Sequence, residues 1–426
     1  MRLLIVNWSG LNTGDDVMLE IVAGQARRLW PGVELGVVGH HVSENIAQRL
    51  QLRVFGSVFE VERGLRGWSG MVAAVRWSDA VLVGGGDIMR ERIASLLPFA
   101  LAAAFGRPVA GVSLGVVGRT GSNFWARSYA LAISASQLWY VRDQASLALL
   151  QPGRHAPGKF RIAPDVAFSS HQQVHLPPVA VPAGALRVCV NLRELSDTAY
   201  LGVMSDSMTM QVTRIRDALL GGGLPPLADV VLVPMVDGSA VDITADQRDS
   251  DGHILQALAA ALRAAGVADV KVIEQRPSGF AELSRWLDHA DLVIGARYHF
   301  LIAALATNAS VWSVSYAEKV TQLRLAIPGM RELGDQALSL SSPDEIAARH
   351  QKVGEMARQA QLALDDVLAG LAPGAGPALA QRLSGWQLLL LLGLEPATLG
   401  LRVLGGRLRR WLRGSVATAG KAGNQG

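Results

Sequence analysis

ADLVIGARYHFLIAALATNASVWSVSYAEKV, residues 290–320, is the stretch whose reading decides the fold. Residues 290–296 form a short run that is apolar apart from Asp291. Residues 297–307 are long enough for a helix, and 310–316 form a second short apolar run. Neither run alternates with period two, which is the pattern of a parallel strand covered on both faces. A strand, a helix and a second strand in succession are the repeating unit of a doubly wound α/β sheet.

Working outward, the same alternation fills both halves of the 426-residue chain. Before it lie runs at 3–7, 35–39, 80–86, 108–115, 138–143 and 160–168, several followed by helical patterns. The run HQQVHLPPVAVPAGA (171–185) carries three prolines and a glycine, and is read as a linker. The alternation restarts at 186–192, 229–235 and 270–274 and closes with the opening stretch. The expectation is α/β with two Rossmann-like domains, 1–170 and 186–342, joined by 171–185. A final helix at 343–371 packs back across the halves, and a tail follows at 372–426. In the tail, Leu401, Leu404, Leu408, Trp411 and Leu412 recur at helical spacing among Arg402, Arg409, Arg410 and Arg413. That pattern suits either a docked helix or a basic amphipathic helix on an anionic membrane.

Composition narrows the function classes. Half the residues are hydrophobic, 18% are charged, and the net charge is +4. The chain has no dense basic stripe of the nucleic-acid kind and is too apolar for general disorder. One cysteine, Cys189, excludes an internal disulfide framework and a cysteine zinc site, and is compatible with a reducing cytosol. No segment reaches the ~20 apolar residues of a spanning helix, and the N-terminal run is too short for a signal peptide. The expected location is cytoplasmic, with peripheral contact at the inner membrane face through the tail.

In open α/β sheets, ligands bind outside the carboxyl ends of the strands. That rule selects Asn12, Gly14, Asp15 and Asp16 after the first strand, with a helix cap as the alternative role for either aspartate. It selects Gly84, Gly85, Gly86 and Asp87, expected as a loop before a helix, then Gly115 and Gly118. Arg142 and Arg193 follow strands in the first and second halves. In the opening stretch, Arg297, His299 and Lys319 all fall at one sheet edge. Arg297 and His299 open a helix whose dipole disfavours cations and favours an anion. Five cations around one predicted cleft point to an anionic ligand. His171 and His175, and the acidic run DITADQRDSDG (242–252), are read as solvated loop rather than metal sites, and no G-x-G-x-x-G is present.

The pieces NTGDDVML, VGGGD, SLGVVG, VRDQAS, APDVAF, NLRE, GARYHFLIAA and SYAEKV occur in that order over about residues 5–320. In combination they resemble the polysaccharide pyruvyl transferases. The family's usual Arg-Leu-His appears as Arg297-Tyr298-His299, and the glycine motif near 115–118 lacks the proline that often follows it. The resemblance implies a glycosyltransferase-B-like pair of domains. It implies transfer of a pyruvyl group from phosphoenolpyruvate to two hydroxyls of a sugar or lipid-linked oligosaccharide, forming a ketal, with no metal or organic cofactor. His299 is then the general acid. Arg297, Lys319, Arg142 and Arg193 hold the donor, and Asp15 or Asp87 contacts acceptor hydroxyls. A nucleotide-sugar glycosyltransferase of the same architecture, and a non-catalytic protein of envelope assembly, are the competing expectations.

Overall fold

The structure is a computed structural model of the chain. It describes residues 1–392 apart from 8–9, 11, 40–41, 58–59, 61–64, 118–122, 151–157, 174–184, 194–207, 222, 237–250, 335–336, 375–381, 383–384 and 391. Most of the expected linker, His175, Gly118 and the arginine-rich segment 399–414 therefore lie outside the described residues.

In chain order the first half runs β1 (Arg2–Val6), α1 (Thr13–Leu29), β2 (Glu34–Gly39), α2 (Glu44–Arg49), β3 (Leu52–Ser57), α3 (Leu65–Trp77), β4 (Ala80–Arg90), α4 (Ile93–Ala104), β5 (Val109–Val117), α5 (Asn123–Ala135), β6 (Trp139–Val141), α6 (Gln144–Leu149), β7 (Phe160–Ile162) and a 3-10 helix (Val166–Gln173). The second half runs β8 (Leu186–Asn191), α7 (Met208–Leu220), β9 (Leu227–Leu232), α8 (Gly252–Ala264), β10 (Val270–Val272), α9 (Phe280–Leu287), β11 (Leu292–Gly295), α10 (Tyr298–Leu305), β12 (Ser310–Ser313), α11 (Glu318–Ala326), β13 (Arg331–Glu332) and α12 (Pro343–Gly370).

The strands form two sheets, in the orders β3-β2-β1-β4-β5-β6-β7 and β10-β9-β8-β11-β12-β13, with every ladder parallel. Their inner strands are unbroken apolar runs because helices cover both faces. Leu3, Leu4, Ile5 and Val6 of β1 are all buried, as are Leu292, Val293 and Ile294 of β11. In each sheet the strand order reverses at one place, between β1 and β4 in the first and between β8 and β11 in the second. Loops diverge at such a switch point and leave a crevice.

The structure differs from the sequence reading in three places. The strand holding Gly84–Gly86 does not stop at the glycines but continues to Arg90, with a register shift between Gly86 and Met89. Residues 160–168 are a strand only to Ile162, after which a 3-10 helix starts at Val166. The edge strand β3 had no apolar signal, since Arg53 and Val54 are exposed there.

The helix α12 opens with a capping box of Ser342 and Glu345 and a proline at its first turn. It reaches both halves. Arg349 donates to the carbonyls of Thr307 and Ala309, at 2.8 and 2.7 Å, in the turn between α10 and β12. Sixteen positions on, Asp365 and Asp366 bind Gln25 of α1, Tyr140 of β6 and Arg161 of β7. No helix among the described residues is long and apolar enough to cross a membrane.

Candidate active site

The loops at the two switch points meet. Asn12 caps α1, its side chain accepting from Gly14 N at 2.9 Å, so the cap is Asn12 rather than Asp15 or Asp16. From the first turn of α1, Thr13 Oγ1 donates to the carbonyl of Pro277 at 2.7 Å, and its backbone N–H donates to that of Met235 at 3.0 Å. Arg276 of the second half pairs with the fully buried Asp16 at 2.6 Å. These bonds seat the α1 terminus against the second sheet.

His299 stands in the first turn of α10, buried. Its ring lies on Gly14: a Cβ at position 14 would come within 2.0 Å of His299 Nδ1. Glycine is therefore required there for close approach, as the sequence suggested. His299 Nε2 makes no hydrogen bond among the described residues; Asp165 Oδ2 lies 3.6 Å away. Asp165 is fully buried after β7. Its carboxyl stays below the usual range because His299 and Arg142 outweigh the cost of burial. Ser113, in a left-handed conformation at φ +50°, accepts from Val166 N at 2.7 Å and fixes the start of that segment.

The three glycines of β4 have separate reasons. A Cβ on Gly84 would meet the Val112 carbonyl oxygen at 2.6 Å, so that residue serves sheet packing. Gly85 and Gly86 have φ +92° and +83°. Gly85 faces Met18 of α1, and Gly86 faces the Asp15 carboxylate. Asp87, next along, is gripped from both halves: Arg142 binds one oxygen and Lys319 Nζ the other, at 2.6 Å. These two cations outweigh burial and hold its carboxyl far below the usual range.

The cations proposed from sequence are thus gathered, but the fold has paired them. Arg142 is buried among Asp87, Asp143 and Asp165, with Asp165 Oδ2 at 3.7 Å and Asp143 Oδ2 at 3.4 Å. Arg297 grips Asp251 through Nη2 and Nε, at 2.6 and 3.0 Å, and its backbone N–H donates to Asn191. Asp251 belongs to the acidic run read as solvated loop, yet it is fully buried and also accepts from Met235 N at 2.8 Å. An unpaired buried Arg297 would be costly, and a buried carboxylate is the cheapest remedy the chain itself can supply. The anion called for by the opening helix is in part internal.

Two tyrosines complete the lining: Tyr298, which stands where the family usually has leucine, and Tyr316, which the sequence reading did not single out. Tyr298 lies under Arg142, with the guanidinium 5.1 Å from its ring centre, and Lys319 Nζ is 5.9 Å away. Tyr316 lies under Arg193 at 5.0 Å. Burial alone would raise the Tyr316 hydroxyl, but Lys319, Arg193 and Arg297 together pull it below its ordinary value. His171 is not solvated either. It stacks on Phe280 and shares a hydrogen bond with the Ile302 carbonyl of α10 at 3.0 Å, and burial pushes its pKa down to about 4.

Two parallel sheets of this order, with charged groups converging from both switch points, define an α/β enzyme of glycosyltransferase-B-like architecture. Solved structures agree. A UDP-GlcNAc 2-epimerase from Neisseria meningitidis superposes with a TM-score of 0.51 at 10% identity, covering 87% of this chain and 100% of that one. A further UDP-N-acetylglucosamine 2-epimerase gives 0.53 at 11% identity, covering 85% and 94%. At such identities the likeness is one of fold. No curated protein matches the chain. Residues 12–318 match the polysaccharide pyruvyl transferase family, and the chain belongs to it. It is a transferase of polysaccharide modification.

Proposed function

We propose that this transferase moves the pyruvyl group of phosphoenolpyruvate onto two hydroxyls of a sugar, in a cell-surface polysaccharide or its lipid-linked precursor, and closes them into a ketal. The observation that carries the reading is His299. A buried imidazole stands at the amino end of a helix, its Nε2 without a hydrogen bond among the described residues, 3.6 Å from Asp165. Ketal formation from an enol phosphate needs an acid for the methylene carbon, and histidine is the side chain suited to that role near neutral pH.

Phosphoenolpyruvate brings a carboxylate and a phosphate, which need several positioned donors. Lys319 is more accessible than the buried Arg142 and Arg297, being shared with Asp87 at a side-chain exposure of 20%. Arg193 and Arg297 flank it around Tyr316, and Arg142 sets the position of Asp87 and Asp165. Asn12, Asp87 and the backbone of Gly84–Gly86 face the acceptor. We place the boundary between the two domains within 171–185. We also place the enzyme at the cytoplasmic face of the membrane, held through its tail. The helical segment 385–390 supports this: Leu388 is buried against the first half, while Trp386 and Leu390 are exposed on the other side.

The test is phosphate release from phosphoenolpyruvate in the presence of sugar acceptors, paired with calorimetric binding of phosphoenolpyruvate and of nucleotide sugars. His299→Ala is expected to lower turnover by about 10²–10⁴-fold with donor binding retained. Near wild-type turnover in His299→Ala overturns the mechanism. Binding of nucleotide sugars without phosphoenolpyruvate overturns the reaction in favour of glycosyl transfer.

A further inference from the structure

We propose that Asp15 is the general base that removes the proton from the attacking acceptor hydroxyl, opposite His299. The assignment rests on the pyruvyl-transfer reading above.

Asp15 is the third residue of α1, adjacent to the Gly14 on which the His299 ring lies. The other carboxylates of the cleft are committed. Asp16 pairs with Arg276, Asp87 with Arg142 and Lys319, Asp165 with Arg142, and Asp251 with Arg297, while Asp143 caps α6 through Ser146 N. Among the described residues the Asp15 side chain makes no hydrogen bond or ion pair. Its Oδ1 lies only 2.8 Å from where a Cβ on Gly86 would be, so the left-handed glycine makes room for this oxygen.

The charged groups facing it are His299 from α10, Lys319 from α11, Asp16 from α1 and Asp87 from β4. Burial pushes the Asp15 pKa up to about 7; Asp16 and Asp87 add to the rise, and His299 and Lys319 oppose it. A base poised near the working pH accepts a proton most effectively.

The step balances. The His299 proton goes to the methylene carbon, using the enol π pair to form the C–H bond. The acceptor oxygen bonds to C2 and its proton passes to Asp15. Phosphate then leaves with the C2–O electron pair and takes the proton held on Asp15. The second hydroxyl closes the ketal and returns its proton to His299. Both residues end as they began.

The experiment measures phosphate release from phosphoenolpyruvate with a panel of methyl hexopyranosides, as saturated turnover across pH 5–9. The full-length wild-type chain is compared with Asp15→Asn, Asp15→Glu and Asp15→Ala with added formate. We expect Asp15→Asn to bind phosphoenolpyruvate within about twofold of wild type but to turn over about 10²–10⁴-fold more slowly. It should lose the acid-side fall in rate, and Asp15→Glu or formate should restore it. Wild-type rate in Asp15→Asn, or loss of the alkaline limb instead, overturns this assignment alone. A wild-type chain that neither binds phosphoenolpyruvate nor releases phosphate overturns the reaction and this base with it.

Discussion

Gly14 and His299 touch across the two halves of the molecule: the α-carbon of one lies where the imidazole of the other leaves no room for a methyl group. In an open helix, alanine for glycine would gain about 1 kcal/mol. Here the added carbon meets the ring at 2.0 Å, and overpacking of this kind costs about 1–3 kcal/mol. Gly14→Ala is therefore expected to fold with a slightly lowered melting temperature and, if His299 is the general acid as proposed, to lose at least about 10²-fold in turnover because the ring is displaced. Thermal melting and phosphate release check both parts; undiminished turnover would show that the ring position is unimportant.

Arg297 and Asp251 form a buried pair, which changes what removing either should do. Arg297→Ala strands a carboxylate with no solvent, a loss of about 3–5 kcal/mol. The double variant Arg297→Met with Asp251→Leu should recover most of that stability, since apolar replacements of a buried pair are near neutral, yet remain inactive. Urea midpoints separate the outcomes. If Arg297→Ala keeps wild-type stability and loses only donor binding, the pair is not structural.

Asp15 should weaken the folded state at neutral pH. Its folded pKa of about 7 exceeds the ordinary 3.8, so the native chain holds the proton more tightly than the unfolded one. Stability then falls as pH rises from about 4 to 7, and the full penalty stands above 7. Asp15→Asn is expected to be more stable than wild type at pH 8 by roughly 1–2 kcal/mol, allowing for solvent screening, with the two curves meeting near pH 4. An unchanged gap across this range would contradict the raised pKa.

His171 works in the opposite sense. Its folded pKa is about 4, below the ordinary 6.5, so the unfolded chain binds the proton first. The stability it protects is present above pH 6.5 and is lost as pH falls towards 4, by about 3 kcal/mol in all. His171→Gln can still donate to the Ile302 carbonyl but cannot titrate. Its stability curve should be flatter between pH 6.5 and 4, measured by chemical denaturation at a series of pH values.

Much of the architecture was legible because parallel strands buried on both faces leave an unbroken apolar signature. The positions of Arg142, Arg193, Arg297, His299 and Lys319 followed from one rule about strand ends. The same rule applied to APDVAF would have placed Asp165, which also follows a strand. Asp251 could not be found this way. It sits in an acidic run, and only the fold reveals that one of those carboxylates is carried inward to Arg297. The glycines of β4 misled for a similar reason. Glycine signals an unusual backbone, but whether that backbone ends a strand or bulges within it depends on the neighbouring strand.

The long helix α12 has a mechanical meaning. Its 28 residues span about 42 Å. Near one end, Arg349 and His350 grip the turn that follows α10; towards the other, Asp365 and Asp366 grip the first sheet and α1. A strut anchored to both halves fixes the spacing between them. Because α10 is pinned at its far end, the end carrying His299 can tilt but cannot slide without breaking those bonds. A relative movement of the two halves would then be a rotation about a fixed axle, which keeps the His299 ring over Gly14.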